Sequence, residues 1–240
     1  MVLVICEDWD FAALWAADRL RSRGVAVDML TGADLAAAER WEHRLGHAGV
    51  TFALTLAGGE RRVFSQAVRG VLNRLSFLPS AWLQRIGGPD RDYAIQEMHA
   101  LYLSWLAALP GPVLNRPTPQ GLCGNWRHPS FWAALAGRAG LPARYRQSSE
   151  DDPSEAWQPA AAPPEAIAFV VGERVIAPPA LPTQLNEACR RLAHAAGAGL
   201  LGIDFMAAAA GEWRFTGASV MPDLVRGGEP LADALAEAFA

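Results

Sequence analysis

The chain opens with an alternation of strand-like and helix-like segments, and this pattern restricts its fold more than any other feature. Val2–Cys6 is a short apolar run typical of a buried strand. Residues 11–23 carry apolar side chains at helical spacing, and residues 25–30 are strand-like again after Gly24. Such a β-α-β unit predicts a parallel sheet with a right-handed crossover helix. We therefore expect a Rossmann-like α/β layer in the N-terminal part of the chain.

Further strands and helices are predicted along the rest of the chain from apolar periodicity and breaker residues. The strands are expected at 50–56, 67–73, 113–115, 166–171, 174–176, 200–205 and 213–215. The helices are expected at 33–44, 93–109, 129–139, 181–196 and 229–239. Because strands 166–171 and 174–176 flank a glycine-bearing turn, they predict a β-hairpin, and the C-terminal half is expected to be α+β.

An acidic segment at 147–164 divides these elements. It is rich in proline and serine and carries Glu150, Asp151 and Asp152 in succession, which is typical of an exposed linker. We predict an N-terminal α/β domain at 1–120, a connecting helix within 121–146, the linker at 147–164, and a reduced α+β half at 165–240. Since the segment has almost no apolar residues, it is also expected to be mobile.

Composition excludes several kinds of chemistry. All 21 basic residues are arginine, and the chain contains no lysine. Schiff-base chemistry, a P-loop lysine and a lysine general base are therefore excluded, because a guanidinium group does not give up its proton in proteins. The net charge of -4, without a dense arginine cluster, argues against a nucleic-acid partner. The identity of any catalytic residue stays unknown at this point.

Other sequence signals bear on location and metal binding. No apolar run reaches the roughly 20 residues that span a bilayer, and the N-terminus lacks a signal-peptide pattern, so a cytoplasmic protein without a membrane segment is expected. The three cysteines lack metal-binding spacing and are predicted to be buried thiols. His43 and His47 form an i, i+4 pair on the predicted helix 33–44 and its end, but no third ligand is nearby, so no metal site is expected.

Residues 197–202 match the GxGxxG pattern of dinucleotide sites. In such sites a strand leads into the glycines and a helix follows them, because the helix N-terminus receives the pyrophosphate. Here the order is reversed, since a predicted helix precedes the glycines and a predicted strand follows. We interpret the motif as a helix C-cap and turn.

Two strand-like segments each end in Asn-Arg, at 71–75 and 113–117. Open α/β sheets bind ligands at the carboxyl ends of their strands, so Arg74, Asn115 and Arg116 are candidates for binding an anionic group. We expect Arg74 and Arg116 to lie near one another at one edge of the sheet and to face a shared cleft. The alternative is that each arginine pairs with a carboxylate such as Asp90 or Glu97.

Several short motifs occur in an order that is similar to a known enzyme superfamily. They are Leu-Asn-Arg-Pro at 114–117, Ala-Gly-Leu-Pro at 139–142, Val-Val-Gly-Glu-Arg-Val-Ile at 170–176, Gly-Ile-Asp-Phe at 202–205, Gly-Glu-Trp-Arg-Phe at 211–215 and Met-Pro at 221–222. Together they resemble the ATP-grasp superfamily, in particular the peptide- and amino-acid-ligating branch similar to the ribosomal-protein-modifying glutamate ligases. The resemblance implies a Rossmann-like N-terminal domain and a reduced ATP-grasp-like α+β half.

The departures from the family pattern fall on residues that the family uses for chemistry. Gly217 and Ser219 occupy the positions where a glutamate and an asparagine hold Mg²⁺ against the phosphates. The two lysines that grip the nucleotide are missing, and Arg127 lies near the position of the first. The clamp region between Pro142 and Ala166 is nearly absent. Of the metal-binding group only Asp204 is clearly retained, and one carboxylate is a poor Mg²⁺ site.

Three functions follow from this comparison. The leading hypothesis is a non-catalytic, ATP-grasp-like binding or scaffold subunit that needs no cofactor and acts with an enzyme partner in a small-molecule or peptide-modification pathway. It would bind a protein partner or a second copy of itself, with an anionic small molecule or peptide as a further candidate ligand. The first alternative is a divergent carboxylate-amine ligase that uses ATP and Mg²⁺, with Arg127, Arg214 or Arg226 replacing the lysines. The second is an interaction module that uses the nine tryptophans.

Overall fold

The computed structural model describes residues 1–47, 49–59, 61–79, 87–143, 163–178, 181–208 and 212–240. The chain divides into two compact units, one formed by Met1–Asn125 with Leu235–Ala240 and the other by Trp126–Ala234. All but the last two residues of the predicted linker lie outside the described residues. The proposed linker and the domain boundaries drawn from it therefore stay predictions.

The strands and helices of the first unit follow the β-α-β order at its start. In chain order they are β1 (Val2–Cys6), α1 (Phe11–Ser22), β2 (Val27–Thr31), α2 (Gly32–Ala36), β3 (Arg40–Gly46), β4 (Gly49–Thr55), β5 (Arg62–Phe64), β6 (Gly70–Arg74), α3 (Pro89–Ala107) and β7 (Val113–Leu114). Strands β2, β1, β6 and β7 form a parallel sheet in that order. The expected α/β layer is confirmed.

The first strand and helix show why this layer forms. Every residue of β1 is buried, as expected for a strand in the interior of a parallel sheet. Helix α1 begins at an N-cap, Asp10, whose carboxylate accepts a hydrogen bond from the backbone N–H of Ala13. Its buried face, spaced at helical intervals, consists mainly of alanine, which permits a close approach to the sheet.

The helix predicted at 33–44 is shorter than expected, and this prediction was wrong in its second half. A capping box between Thr31 and Asp34 starts α2, but the helix ends at Ala36. Strand β3 follows and pairs with β4, which also pairs with β5 in a three-stranded antiparallel sheet. Pairing with β4 therefore overrides the local helix propensity. His43 lies opposite Phe52 in this sheet, so the helical spacing of His43 and His47 does not exist.

The core of the first unit contains a cluster of aromatic side chains. Trp41 from β3 meets Tyr102 and Trp105 from α3 edge to face, with ring centroids 4.8 and 4.9 Å apart. Phe52 contacts Trp105 in the same geometry at 5.8 Å. Edge-to-face pairs of this kind add about 0.5–1.5 kcal/mol each beyond the area that they bury. The cluster attaches the antiparallel sheet to α3 and fixes both within one core.

The second unit has the predicted α+β composition. Its elements are α4 (Pro129–Ala139), β8 (Ala166–Val171), β9 (Arg174–Ile176), α5 (Gln184–Ala196), β10 (Leu200–Ala207), β11 (Trp213–Ser219) and α6 (Gly228–Ala238), whose final residues from Leu235 belong to the first unit. The strands form an antiparallel sheet in the order β11-β10-β8-β9. Helices α4 and α5 contribute buried side chains to one core with this sheet.

The glycine-rich motif at 197–202 is a helix end, as interpreted from its order. Gly197 has φ 66° and caps α5, with its backbone N–H bonded to the carbonyls of Ala193 and His194. This left-handed conformation favours glycine because it has no Cβ. Strand β10 follows directly, so the loop presents no helix N-terminus to a dinucleotide.

The three cysteines are buried thiols, as predicted from their spacing. Cys6, Cys123 and Cys189 are free and buried. Burial raises the pKa of the Cys6 and Cys189 thiols to about 12 and that of Cys123 to about 11, so all three are protonated at neutral pH. Among the described residues, no helix is long and apolar enough to cross a bilayer.

Candidate functional site

A small cavity in the second unit surrounds Asp204. It has a volume of about 280 Å³ and is lined by residues of β8, β10, β11 and the loop after β11. Asp204 lies on β10 directly opposite Gly217 of β11, and Gly202 lies opposite Ser219. A register shift between Asp204 and Phe205 interrupts the ladder at this point. Such irregularities often occur beside functional sites, where they redirect a side chain.

We call this cavity the Asp204 site. The charged side chains that line it are Asp204, Asp223 and Arg226. Burial raises the pKa of Asp204, and the positive charge of Arg226 opposes that rise. Arg226 also lines the cavity and donates a hydrogen bond to the carbonyl oxygen of Pro164 at 2.8 Å. Ser219 and Asp223 accept hydrogen bonds from the backbone N–H groups of the following turns. Asp204 is therefore the partly buried carboxylate that faces the cavity beside one cation.

Gly217 lies beside the Asp204 carboxylate in this site. A Cβ atom added at Gly217 would lie 3.5 Å from a carboxylate oxygen of Asp204, so a side chain at this position would start beside the carboxylate. Glycine supplies no ligand there. Across the described ranges, no group of three or more His, Cys, Asp or Glu side chains is placed to hold a metal ion. The half-buried carboxylate of Asp204 can accept a hydrogen bond from a ligand or pair with a cationic group, and Asp223 adds an exposed carboxylate to the same cavity.

Replacing Asp204 by asparagine is expected to stabilise the protein at neutral pH. The pKa of Asp204 is raised in the folded state above its ordinary value of 3.8, so the folded protein retains this proton after the unfolded chain has lost it. The free energy of unfolding therefore falls as the pH rises through this window, and the asparagine variant does not share that loss. Urea unfolding should give the variant the higher midpoint at neutral pH, with the gain disappearing towards pH 3.8.

Asp223 provides the control for this measurement, because it lies in the same cavity and is exposed. Asp223→Asn retains an oxygen that can cap the following turn, so its midpoint should change little at either pH. A lower midpoint for Asp204→Asn at neutral pH would show that the Asp204 carboxylate has a stabilising partner, which contradicts the prediction.

At the carboxyl edge of the parallel sheet, Arg74 pairs with a carboxylate that the sequence did not indicate. Its Nε and one terminal nitrogen lie 2.7 and 3.2 Å from the two carboxylate oxygens of Asp10. Their side chains are only 5% and 9% exposed, respectively. Nearby, the buried carboxylate of Glu7 accepts hydrogen bonds from the backbone of Ser76 and Phe77. The signal that could have found Asp10 is its N-cap position before α1.

Arg116 does not join Arg74, so the shared cleft proposed from the repeated Asn-Arg pattern is corrected. Its guanidinium group donates hydrogen bonds to the carbonyls of Ala107, at the end of α3, and Gly111. Because β7 stops at Leu114, the side chain of Arg116 leaves the sheet and reaches carbonyl groups that the helix end leaves free. Asp90 and Glu97 of α3, the partners considered from the sequence, do not accept these hydrogen bonds.

The remaining candidate residues do not gather in one site. Asn115 is buried, and its carbonyl oxygen accepts a hydrogen bond from the Asn73 side chain. The guanidinium group of Arg127 lies over the Phe131 ring, 4.9 Å from its centroid, and donates to a carbonyl at the end of α5. Arg214 is exposed on β11. Of the seven residues proposed from the sequence, Asp204 and Arg226 line one cavity.

Several solved structures share this arrangement of elements over nearly the full length of both chains. The macrocyclase MdnB from Microcystis aeruginosa MRC has a TM-score of 0.69 at 16% identity, covering 98% of this chain and 97% of that one. The macrocyclase MdnC from the same organism, bound with precursor peptide MdnA, has a TM-score of 0.70 at 13% identity and covers 98% of each chain.

A third similar structure is a Chryseobacterium gregarium RiPP-associated ATP-grasp ligase in complex with ADP and a leader and core peptide. It has a TM-score of 0.66 at 12% identity, covering 98% of this chain and 95% of that one. The chain has an ATP-grasp fold. No protein-family model matches the sequence, and no curated protein matches it either. At such low identity the ATP-grasp fold is what the likeness establishes, and the chemistry depends on the residues of this chain.

Proposed function

We propose that this protein is a non-catalytic ATP-grasp subunit that binds a peptide or protein partner and acts beside a separate enzyme. The observation that carries the proposal is the pairing of Asp204 with Gly217 across β10 and β11. At this position the resemblance predicted a second oxygen ligand for Mg²⁺, and glycine provides none. The pathway would modify a peptide or a small molecule.

Electrostatics favour this interpretation over nucleotide chemistry. Transfer of a phosphoryl group requires metal ions and cationic side chains that neutralise the charge on the phosphates. The chain has no lysine, and the Asp204 site has Arg226 as its cationic side chain. Arg226 is exposed and already donates to the carbonyl oxygen of Pro164. A magnesium nucleotide would meet the carboxylates of Asp204 and Asp223 and one engaged guanidinium group there, and a single cationic side chain would neutralise little of the phosphate charge.

A peptide partner is supported by the kind of protein that shares the fold. MdnC was crystallised with its precursor peptide, and the Chryseobacterium gregarium ligase with a leader and a core peptide. A protein that retains such a fold while losing the metal ligands can keep a surface for a peptide. Trp9 and Trp126 are 65% and 71% exposed, whereas Trp105 and Trp132 are buried core residues. The tryptophans as a set therefore do not form one interaction surface.

One observation favours the alternative of a divergent, ATP-dependent carboxylate-amine ligase. Arg226 lines the same cavity as Asp204, where a cation could contact a phosphate group. Such a ligase would need a partner subunit to supply the missing ligands. Arg127 lies over the Phe131 ring and donates a hydrogen bond to the carbonyl oxygen of Ala196. To bind a phosphate in place of the family's lysine, its guanidinium group would have to leave both contacts.

Millimolar MgATP is expected to leave the unfolding temperature of this protein unchanged. A ligand present at 100 times its Kd adds about 2.7 kcal/mol of stability. For a chain of this size that gain corresponds to an increase in Tm of several degrees. Differential scanning calorimetry with and without MgATP measures the effect, and the same titration after addition of EDTA serves as the control. An increase in Tm that EDTA and Asp204→Asn both abolish would favour the ligase alternative.

A further inference from the structure

Helices α4 and α5 border a second cavity in the same unit, away from the Asp204 site. It has a volume of about 530 Å³, within the range of ligand-binding pockets, and Glu173 of the turn between β8 and β9 also lines it. Arg138 of α4 and Arg190, Arg191 and His194 of α5 line it. Leu135 provides part of an apolar wall. We call this cavity the α4–α5 groove.

The arginines of the groove differ in how far their charges are already used. Arg191 donates two hydrogen bonds to the carbonyl oxygen of Ala139, at 2.9 and 2.7 Å, and so closes the C-terminal end of α4. Glu187 lies 2.9 Å from Arg190 and 3.7 Å from Arg191. Arg138 is exposed and makes no hydrogen bond or ion pair with any described residue. Among the described residues, none therefore occupies the donors of its guanidinium group.

Arg190 is the second arginine of interest in the groove. The Nε atom of Arg190 is buried and has no hydrogen-bond partner within the part of the chain that the structure describes. A buried N–H group without an acceptor costs about 1–3 kcal/mol, so such groups usually have a ligand, a water molecule or another acceptor. This donor belongs to a residue that lines the groove, as Arg138 does. Because Nε is buried, a ligand in the groove would meet the terminal nitrogens of Arg190, whose side chain is 39% exposed, and those of Arg138.

We infer that the α4–α5 groove binds a carboxylate side chain of an acidic peptide that also carries aliphatic residues. This inference rests on the proposed peptide-binding function and names the chemistry of the partner. The carboxylate would accept hydrogen bonds from Arg138 and Arg190 in the forked geometry that guanidinium groups favour. The aliphatic side chains would contact Leu135 and Ala195.

The charge balance of the groove favours a carboxylate over a phosphate cluster. Three arginines and two glutamates, Glu173 and Glu187, line the groove, so the formal difference is 3 − 2 = +1 with histidine neutral. One carboxylate matches this charge. A polyphosphate has several negative charges, and the carboxylates of Glu173 and Glu187 would repel them at close range.

The test uses a defined probe with one carboxylate, the peptide acetyl-Leu-Glu-Leu-amide, and its neutral analogue acetyl-Leu-Gln-Leu-amide. Amide shifts in a nuclear magnetic resonance titration at low ionic strength give the affinity of each. The acidic peptide should bind at least about tenfold more tightly than the neutral one, and Arg138→Gln should weaken its binding by about tenfold. Added salt should weaken it further, because the groove is open to solvent.

Arg62→Gln is the matched control, since Arg62 is exposed on β5 of the first unit and its removal changes the net charge equally. Binding of the acidic peptide should be unchanged in this variant, and a thermal melt should show that both variants are folded. The inference is overturned if the neutral peptide binds equally well or if Arg138→Gln has no effect. It is also overturned if inorganic phosphate at equal concentration displaces the peptide, which would show a general anion site. These outcomes are independent of MgATP binding, which tests the proposed function separately.

Discussion

Replacing Asp10 by alanine is expected to destabilise the protein by about 3–5 kcal/mol. The Asp10 carboxylate forms a two-point ion pair with Arg74, and both side chains are almost fully buried. Without Asp10 the guanidinium group keeps its charge in a site with little water, which is the main cost. The variant also loses the N-cap of α1, where the carboxylate accepts from the N–H of Ala13. Urea unfolding followed by circular dichroism measures the loss.

Two further variants separate these contributions. The double variant Asp10→Ala with Arg74→Met removes both charges and should recover much of the lost stability, leaving mainly the cost of the cap, about 1 kcal/mol. Asp18→Ala is the control, because Asp18 pairs with Arg19 on the exposed face of α1 and is 70% exposed. Its loss should stay within about 0.5 kcal/mol. A loss below about 1 kcal/mol for Asp10→Ala would show that the ion pair contributes little.

Replacing Gly111 by alanine is expected to cost about 3 kcal/mol or more, or to prevent folding. Gly111 has φ 72°, a left-handed conformation that costs an L-residue about 1–2 kcal/mol. A Cβ atom at this position would also overlap the backbone carbonyl oxygen of Arg69, which precedes β6. Because the backbone cannot move aside as a flexible side chain can, the overlap adds about 1–3 kcal/mol of strain.

Gly24 provides a matched control for the Gly111 variant. It has φ 78°, nearly the same conformation, but a Cβ atom there meets no atom within 4 Å. Gly24→Ala should therefore cost only the conformational term, about 1–2 kcal/mol. The difference between the two alanine variants, measured by urea unfolding, isolates the overlap with Arg69. Equal losses would mean that the chain between α3 and β7 adjusts without strain.

The charged residues on α5 line a groove that the sequence analysis did not predict, although their helical spacing was visible in the sequence. Glu187, Arg190, Arg191 and His194 recur at helical spacing and so share one face of the helix. From the sequence alone, such a stripe is typical of a solvated helix surface. Its significance depends on Arg138, which is distant in the sequence and lines the same groove from α4. Periodicity cannot indicate that approach.

The sequence by itself determined the features that depend on local pattern. The β-α-β opening predicted the parallel sheet, the reversed order around Gly197 predicted a helix cap, and the Gly-Ile-Asp-Phe motif placed Asp204 on a strand. These predictions succeed because apolar periodicity and glycine conformation act within a few residues of chain. The lack of lysine likewise follows from composition and needs no structure.

Only the tertiary structure decided which partners the charged residues have. It also decided whether a segment with both helix and strand propensity became a helix or a strand. Residues 40–46 became a strand because β4 lies beside them, although alanine and leucine near α2 favoured a helix. The repeated Asn-Arg ends looked equivalent in the sequence, yet Arg74 reached Asp10, whereas Arg116 turned to the end of α3. An arginine side chain is long and flexible, so its partner is chosen by whichever acceptor the fold brings within reach.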